Sequence, residues 1–189
     1  MRIGLYFGSF NPIHNGHLII ANHVAEHCDV DKVWFVVSPH NPLKESKSLL
    51  NEYDRLHLVK LAVQDNDRLS VSDIEFRLPK PSFTIDTLTY LQEQFPKHTF
   101  SVIMGSDSFQ NIHRWKNYVQ LIGNYPLIIY NRPQYDIRET HGAKLTFVQA
   151  PLLDISSTYI REQIRSGKSI RYLSPDVICD YIAENRYYQ

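Results

Sequence analysis

Cysteine is scarce in this chain of 189 residues, and an excess of charge of either sign is absent. Cys28 and Cys179 stand far apart, with no CxxC pair and no Cys/His spacing typical of zinc, which argues against a disulfide framework or a structural zinc site. Lysine plus arginine and aspartate plus glutamate each number 20. No overall field therefore draws the chain to nucleic acid or to an anionic membrane, and any anion must be bound by a local site.

Long hydrophobic runs are also missing. The first residues, MRIGLYFGSFNPIHNGH, contain neither the apolar core nor the small-residue cleavage site of a signal peptide, and no run approaches 18 apolar residues. We therefore expect a cytoplasmic protein without a membrane partner. The hydrophobic (43%), aromatic (12%) and charged (21%) fractions are those of a globular protein. The length predicts a single domain over residues 1–189.

Short apolar runs alternate with segments of helical spacing along most of the chain. Such runs are typical of strands buried on both faces, and their alternation with helices predicts a Rossmann-like, doubly wound α/β fold. Its sheet is mostly parallel, with helices on both faces. The predicted strands are Arg2–Phe7, Lys32–Val37, Leu69–Ile74, Phe100–Met104, Pro126–Tyr130 and Lys144–Val148, and the predicted helices are His17–His27, Tyr53–Gln64 and Thr84–Phe95.

The last part of the chain, about residues 155–189, has a different pattern. It contains helical spacing at Ser157–Arg165 and Pro175–Asn185, with no strand between them. Ser174 is the predicted N-cap of the second helix and Pro175 its first residue. We expect a small helical C-terminal piece on the α/β body.

A loop rich in glycine and histidine follows the first predicted strand, with the sequence GSFNPIHNGH at residues 8–17. Ligands of open α/β sheets bind at the carboxyl ends of strands, where this loop lies. Gly8 lets a ligand approach the backbone, and a helix that begins near Asn15 or Gly16 directs unpaired N–H groups toward an anion. The loop therefore predicts a phosphate site.

His14 and His17 are three residues apart across the start of that helix. This spacing places both imidazoles on one side of the first turn. Each imidazole can donate a hydrogen bond to a phosphate oxygen, more strongly when protonated. Surface histidines or a helix cap would explain an isolated HxxH equally well, but the preceding glycine turn and buried strand favour a catalytic pair.

A second polar group precedes the predicted helix at Ser157–Arg165. Ser156, Ser157 and Thr158 offer one cap and leave nearby N–H groups for an anion. Arg161 returns to the face of Ser157 one turn later and offers a guanidinium fork for phosphate. A capping run and a surface arginine would be the simpler interpretation without the histidine loop.

The two segments resemble the paired signature of the nucleotidyltransferase superfamily. GSFNPIHNGH is similar to its (T/S)xxH…HxGH motif, and ISSTYIR at residues 155–161 is similar to its late ISSTxxR motif. The resemblance implies that His14 and His17 meet the α-phosphate of ATP and the developing pyrophosphate, while the late motif binds the β- and γ-phosphates. The implied catalytic residues are His14, His17 and Arg161, and the implied ATP-binding residues are Gly8, Ser9, Phe10, Gly16, Ser156, Ser157 and Thr158.

Four segments between the two motifs bear on the acceptor. They are SPHNPLK (residues 38–44), PSFTIDTL (81–88), GSD (105–107) followed by Trp115, and RP (132–133). Lys44 offers a point charge for phosphate, and Ser82 or Thr84 can cap a helix whose N-terminus receives a carboxylate. Together with the paired motifs they resemble, over nearly the whole chain, the bacterial nicotinate mononucleotide adenylyltransferase family.

This resemblance implies adenylyl transfer from ATP to nicotinate mononucleotide, with Mg²⁺ on the triphosphate and no metal site built by the protein. It implies that Trp115 stacks on the pyridine ring and that Thr84, with nearby backbone N–H groups, receives the nicotinate carboxylate. Asp107 would serve the ribose or metal-bound phosphate, and Lys44 and Arg132 would bind phosphates.

Two positions depart from the commonest pattern of the family. Phe7 stands where many members have glycine, and Asn11 stands where many have aspartate. Asparagine keeps an acceptor and loses a charge, so a loop-orienting role at this position survives the change and a metal-binding or basic role does not. Because the phosphate-binding residues are intact, we favour the orienting role.

Several alternatives stay open at this point. The acceptor could be nicotinamide mononucleotide, or both pyridine nucleotides. Phosphopantetheine adenylyltransferases and cytidylyltransferases share the histidine loop, but Trp115 and PSFTIDTL argue against them. A non-catalytic nucleotide sensor would keep the phosphate site, and an RNA-binding role lacks a basic stripe. The sequence leaves a homo-oligomer open.

Overall fold

The structure, a computed structural model, describes residues 1–39 and 49–189. In these ranges the chain forms a sheet in which every neighbouring pair of strands is parallel. The strands are β1 (Arg2–Gly8), β2 (Lys32–Val37), β3 (Leu69–Ser72), β4 (Thr99–Gly105), β5 (Leu127–Tyr130) and β6 (Leu145–Val148). Their order across the sheet is β3-β2-β1-β4-β5-β6, which is the order of doubly wound nucleotide-binding folds. The predicted Rossmann-like class is confirmed.

The helices connect these strands and extend the chain beyond them. They are α1 (Asn15–His27), α2 (Glu52–Val63), α3 (Thr84–Gln94), α4 (Ser106–Gln110), α5 (Tyr118–Asn124), α6 (Ser157–Arg165) and α7 (Asp176–Glu184), with short 3₁₀ helices at Ile74–Arg77 and Ile112–Arg114. The predicted strands and helices are confirmed to within two residues at their ends. Helices α4 and α5 are not among the predicted elements, because helices of five and seven residues are too short to show an amphipathic stripe. None of the helices in the described ranges is long and apolar enough to cross a membrane.

Two apolar clusters cover the two faces of the sheet. Successive side chains of a strand point to opposite faces, so Leu5 joins one cluster and Tyr6 joins the other. The cluster of Leu5 contains residues of α3, α4 and α5, and the cluster of Tyr6 contains residues of α1, α2, α6 and α7. Ile160 of α6 and Ile178 of α7 are fully buried there, so the C-terminal helices pack on the same face as α1.

The start of α7 differs from the prediction by one residue. The helix begins at Asp176, and the carbonyl of Pro175 accepts from the N–H groups of Ile178 and Cys179. The predicted N-cap at Ser174 is wrong, because the buried Ser174 hydroxyl donates to the carbonyl of Ile13 at 3.1 Å. The serine thus ties the C-terminal piece to the histidine loop.

The strand order indicates where a ligand is expected to bind. The strand order reverses between β1 and β4, and doubly wound folds bind ligands outside the carboxyl ends of the strands at such a point. β1 ends at Gly8 and β4 ends at Gly105. The histidine loop and the GSD segment therefore begin on either side of the crevice.

Candidate active site

The loop between β1 and α1 brings the two histidines together. The rings of His14 and His17 stack with their centroids 3.6 Å apart. His14 takes the N-cap position of α1 with an extended backbone, and only 5% of the residue is exposed. The three-residue spacing thus produces the predicted pair.

The backbone donors at the start of α1 are less available than predicted. The N–H of Asn15 donates to the carbonyl of Leu173 at 2.9 Å, and that of His17 donates to the carbonyl of His14 at 2.9 Å. Two of the N–H groups that we expected to be unpaired are therefore occupied. An anion bound at this loop would depend more on the imidazoles than predicted.

Burial controls the charge of His14. Desolvation, with a smaller contribution from the charge of Arg132, lowers the pKa of His14 to about 4 from its ordinary 6.5. Its Nδ1 is buried and has no hydrogen-bond partner among the described residues. His14 is therefore neutral at pH 7 in the ligand-free chain, and the stronger donation expected of a protonated imidazole does not apply to it.

The ring of Phe10 packs against His17. The residue is 2% exposed, has a φ of 45° and places its ring edge-on to His17, with centroids 5.1 Å apart. A Cβ on Gly8 would lie 2.7 Å from the Phe10 ring. Gly8 therefore makes room for this ring, and the side chain of Phe10 belongs to the core.

Gly16 has a similar steric role beside His14. A Cβ at this position would lie 3.1 Å from the imidazole of His14, so the glycine lets the ring fold over the first turn of α1. Ser9, another predicted ATP-binding residue, lies in the same loop, and its carbonyl accepts a hydrogen bond from Arg55 at 2.6 Å.

The start of α6 meets the histidine loop although about 150 residues separate them. Ser156 is the N-cap, and its Oγ accepts from the N–H of Tyr159 at 3.1 Å, which confirms the predicted cap. Ser157 Oγ donates to the carbonyl of Pro12 at 2.9 Å. The structure therefore joins the two motifs through the loop backbone.

Arg161 makes a second link between α6 and the loop. Its Nη1 donates to the carbonyl of Asn11 at 2.7 Å, and its Nη2 donates to Thr158 Oγ1 at 3.3 Å. Its Nε is buried and has no hydrogen-bond partner in the described part of the chain. The guanidinium of Arg161 is thus held beside the histidine loop, and its Nε–H makes none of these hydrogen bonds.

Arg132 and Asp107 form a pair at the carboxyl ends of β4 and β5. Arg132 Nε lies 3.4 Å from Asp107 Oδ1, and the Arg132 N–H donates to Ser106 Oγ at 2.8 Å. Arg132 lies over the ring of Tyr130, 5.6 Å from its centroid; that ring contacts Tyr6, which in turn contacts His17. The predicted acceptor residues Arg132 and Asp107 therefore lie near the predicted catalytic pair.

The start of α3 is built differently from the prediction. Phe83 takes the N-cap position without a side-chain cap, and Thr84 is the first helical residue. The predicted cap by Ser82 or Thr84 is wrong, because the Ser82 hydroxyl instead donates to the buried carboxylate of Glu75 at 2.8 Å. Thr84 remains half-buried at the helix start.

Trp115 lies in the region of α3. It is half-buried and packs against the same apolar cluster as Phe83. The next residue, Lys116, pairs with Asp86 at 2.8 Å and lies 4.8 Å above the ring of Phe83. The segment of Trp115 and the start of α3 are therefore neighbours, as a shared pyridine site requires.

The expected site also includes Lys44 and a Mg²⁺ ion carried by the triphosphate. Lys44 lies outside the described residues. Within residues 1–39 and 49–189, no group of three or more histidine, cysteine, aspartate or glutamate residues could hold a metal ion.

Sequence reasoning missed two buried charged residues, Arg55 and Glu75. Arg55 is fully buried and Glu75 is 2% exposed. A signal for Arg55 exists, because it lies at helical spacing from the apolar residues Leu58 and Val59. Glu75 stands in a short 3₁₀ helix, where no periodic pattern indicates burial.

Comparison with known proteins gives a consistent result. A family model described as cytidylyltransferase-like matches residues 5–163. A probable nicotinate-nucleotide adenylyltransferase of Flavobacterium psychrophilum is 49% identical over 192 residues, covering 100% of both chains. A protein of the same name from Cytophaga hutchinsonii is 49% identical over 191 residues, covering 100% of this chain and 98% of that protein.

Solved structures show the same fold. The nicotinic acid mononucleotide adenylyltransferase of Plasmodium falciparum, complexed with NaAD, superimposes with a TM-score of 0.85 at 22% identity. The match covers 99% of this chain and 97% of that one.

Proposed function

Because the chain belongs to the nicotinate-nucleotide adenylyltransferase family, we propose that its histidine loop and α6 transfer the adenylyl group of ATP to nicotinate mononucleotide. A phosphate oxygen of the mononucleotide attacks the α-phosphorus in line. The bond from the α-phosphorus to the bridging oxygen breaks, and the products are nicotinate adenine dinucleotide and pyrophosphate. One observation carries this proposal: the stacked His14–His17 pair lies on the loop to which Arg161 of α6 donates a hydrogen bond, at the carbonyl of Asn11.

The catalytic contribution of the histidines is hydrogen bonding rather than proton removal. The attacking phosphate is already ionised near pH 7, so the reaction needs positioning and charge neutralisation. A neutral imidazole retains one N–H donor, which His14 offers to the α-phosphate without titrating. His17 donates beside it to the oxygens whose charge grows as pyrophosphate leaves.

Cations and helix donors bind the rest of the triphosphate. Arg161, with Ser156, Ser157 and Thr158 at the start of α6, binds the β- and γ-phosphates. Its spare Nε and its contact with the loop support this role.

Mg²⁺ fits this arrangement as a companion of the triphosphate. Mg²⁺ in such sites is held by one or two carboxylates together with substrate phosphates and water. Asp107 offers one carboxylate there; its buried Oδ1 makes no hydrogen bond in the described part of the chain and lies 3.4 Å from Arg132 Nε. Bound in this way, Mg²⁺ would neutralise charge on the phosphates.

The acceptor occupies the side of the crevice formed by α3 and the GSD segment. Trp115 stacks on the pyridine ring, while Thr84 and the first N–H groups of α3 receive the nicotinate carboxylate. Arg132 and Lys44 bind phosphates. An amide in place of the carboxylate would need both a donor and an acceptor from the protein, so we propose the acid as the preferred acceptor.

Pyrophosphate release tests the reaction and the acceptor together. Purified protein with ATP and Mg²⁺ is given nicotinate mononucleotide, nicotinamide mononucleotide or phosphopantetheine. We expect release with the first to be at least about tenfold faster than with the second. Equal rates with the two pyridine nucleotides would overturn the role of Thr84, and no release with any acceptor would favour a nucleotide sensor.

Two substitutions test the histidines. We expect His14→Ala and His17→Ala each to lower turnover about 10²–10³-fold, the cost of losing one oxyanion donor. His27→Ala is the matched control, because His27 is exposed in the last turn of the same helix. Near-normal turnover in both site variants would contradict the assigned roles.

A further inference from the structure

Arg55 is a buried cation whose position the reaction does not by itself explain. It stands on α2 and is fully buried, and among residues 1–39 and 49–189 no carboxylate forms an ion pair with it. Its guanidinium instead donates to four carbonyl oxygens. They belong to Ser9 (2.6 Å) and Ser38 (2.8 Å), both from Nη1, to Pro39 (3.0 Å, from Nη2) and to Leu50 (2.8 Å, from Nε).

Burying the charged guanidinium of Arg55 costs free energy, so we expect the geometry of its hydrogen bonds to have a role. A buried charge is tolerated only when hydrogen bonds satisfy it, and an apolar side chain of similar volume often stabilises a core as well. A planar guanidinium holds several oxygens in a fixed relation, which an apolar side chain does not. The oxygens of Ser9 and Ser38 belong to loops that follow two different strands, β1 and β2.

Ser38 lies between Arg55 and a second buried charged residue, Glu75. Its N–H donates to the carbonyl of Gly8 at 2.9 Å, and its carbonyl accepts from Arg55. Desolvation raises the pKa of the Glu75 carboxyl, and the hydroxyls of Ser82, Thr87 and Ser38 lower it. Ser38 thus contacts the histidine loop and α2 through its backbone, and its side chain acts on Glu75.

Glu75 carries the connection to the start of α3. It is 2% exposed; its Oε2 accepts from Ser82 Oγ at 2.8 Å and its Oε1 accepts from Thr87 Oγ1 at 2.9 Å. Ser82 and Thr87 lie on either side of Thr84 in the sequence. Arg55, Ser38 and Glu75 therefore lie in succession between the carbonyl of Ser9 and the segment expected to bind the pyridine carboxylate.

We propose that Arg55, Ser38 and Glu75 form a positioning network that holds the ATP-binding loop and the start of α3 at a fixed separation. The inference rests on the proposed function, because it assigns the two ends of the network to the two substrates. In-line attack requires both substrates to be held to within a fraction of an ångström, and a misplacement of about 1 Å can cost about 10²-fold in rate. Arg55, Ser38 and Glu75 act on the reaction through these loops and touch neither substrate.

Steady-state kinetics of two variants test the network. Arg55→Lys keeps the charge and loses the planar guanidinium, and Ser38→Ala removes only the hydroxyl that lowers the pKa of the Glu75 carboxyl. We expect Arg55→Lys to lower kcat about 10–100-fold and Ser38→Ala about 3–10-fold, with the KM of each substrate within about threefold of the parent value. Because both act in one network, the double variant should lose much less than the product of the two single losses.

Arg68→Lys is the matched control. Arg68 Nη2 also donates to a carbonyl, that of Val30 at 2.8 Å, but Arg68 directly precedes β3, at the amino end of that strand, whereas Ser9 and Ser38 follow the carboxyl ends of β1 and β2. We expect its kcat to stay within about twofold of the parent. Independent losses that multiply in the double variant, or a kcat near the parent value in both network variants, would overturn the proposal. Ser38→Ala changes a single atom, so it decides the question if Arg55→Lys does not fold.

The wild-type chain separates this inference from the proposed function. Absence of pyrophosphate release from the wild type with nicotinate mononucleotide would contradict the function alone. Deuterium exchange of backbone amides then tests the network, since Arg55→Lys should raise exchange both at residues 8–17 and at residues 82–88, and Arg68→Lys should raise neither. Unchanged exchange at residues 82–88 in Arg55→Lys would refute the connection.

Discussion

The neutral state of His14 predicts a pH-dependent loss of stability that a single substitution removes. The pKa of His14 is about 4 in the fold against an ordinary value of 6.5. Because the unfolded chain binds the proton more tightly, acid favours unfolding. The contribution of His14 to stability is complete above pH 6.5, decreases as the pH falls from about 6.5 to about 4, and is constant below that.

The size of the effect follows from the two pKa values. Between pH 7 and pH 4.5, titration of His14 should lower the free energy of unfolding by about 2 kcal/mol. His14→Gln, which does not titrate, should lose about 2 kcal/mol less than the parent over the same interval. Urea unfolding of both proteins at the two pH values measures this difference. Other titrating groups contribute equally to both proteins and cancel.

A control and a direct measurement accompany this experiment. His113→Gln alters an exposed histidine and should keep the pH dependence of the parent. The imidazole C–H resonance of His14 in NMR spectra should shift with a midpoint well below pH 5. If His14→Gln loses as much stability as the parent between pH 7 and pH 4.5, His14 is not a buried neutral histidine and its assigned role in donation must change.

Three further substitutions follow from particular contacts. Tyr188→Phe should leave the free energy of unfolding unchanged or raise it by up to about 1 kcal/mol, because the Tyr188 hydroxyl is buried without a hydrogen-bond partner in the described part of the chain. A free energy of unfolding, measured in urea, that lies more than about 1 kcal/mol below that of the parent would contradict this. Gly8→Ala should lower the free energy of unfolding by about 1–3 kcal/mol, because its Cβ meets the Phe10 ring, whereas Gly123→Ala, with no atom within 4 Å, should not. Arg161→Lys should lower kcat/KM for ATP about tenfold, since an ammonium cannot replace the fork; an unchanged value would argue against phosphate binding by Arg161.

The fold was predictable because its strands are buried on both faces. A segment such as Lys32–Val37 is apolar at nearly every position, and the structure places Phe35 in one cluster and Val36 in the other. Strand order is less accessible from the chain. The pairing of β1 with both β2 and β4 depends on the path of the connections, which the apolar pattern does not encode.

In the candidate site, too, contacts between residues close in sequence were predictable, and contacts between distant segments were not. The stacking of His14 on His17 follows from a three-residue spacing at the start of a helix. The position of Arg132 beside His14 does not, because Arg132 follows β5, and its distance from the histidines depends on how β1, β4 and β5 are ordered. Only the resemblance to a family indicated that these residues share a site.

Asn11 shows how the buried network bears on an unusual residue in the histidine loop. Its Oδ1 accepts from the N–H of Leu50 at 3.2 Å, and the carbonyl of Leu50 accepts from Arg55. The carbonyl of Asn11 accepts from Arg161. Each of these contacts uses an oxygen as an acceptor, which an aspartate would also supply. Asparagine therefore preserves the bonds that orient the loop while removing a charge, and this geometry supports an orienting role at this position over the binding of a metal.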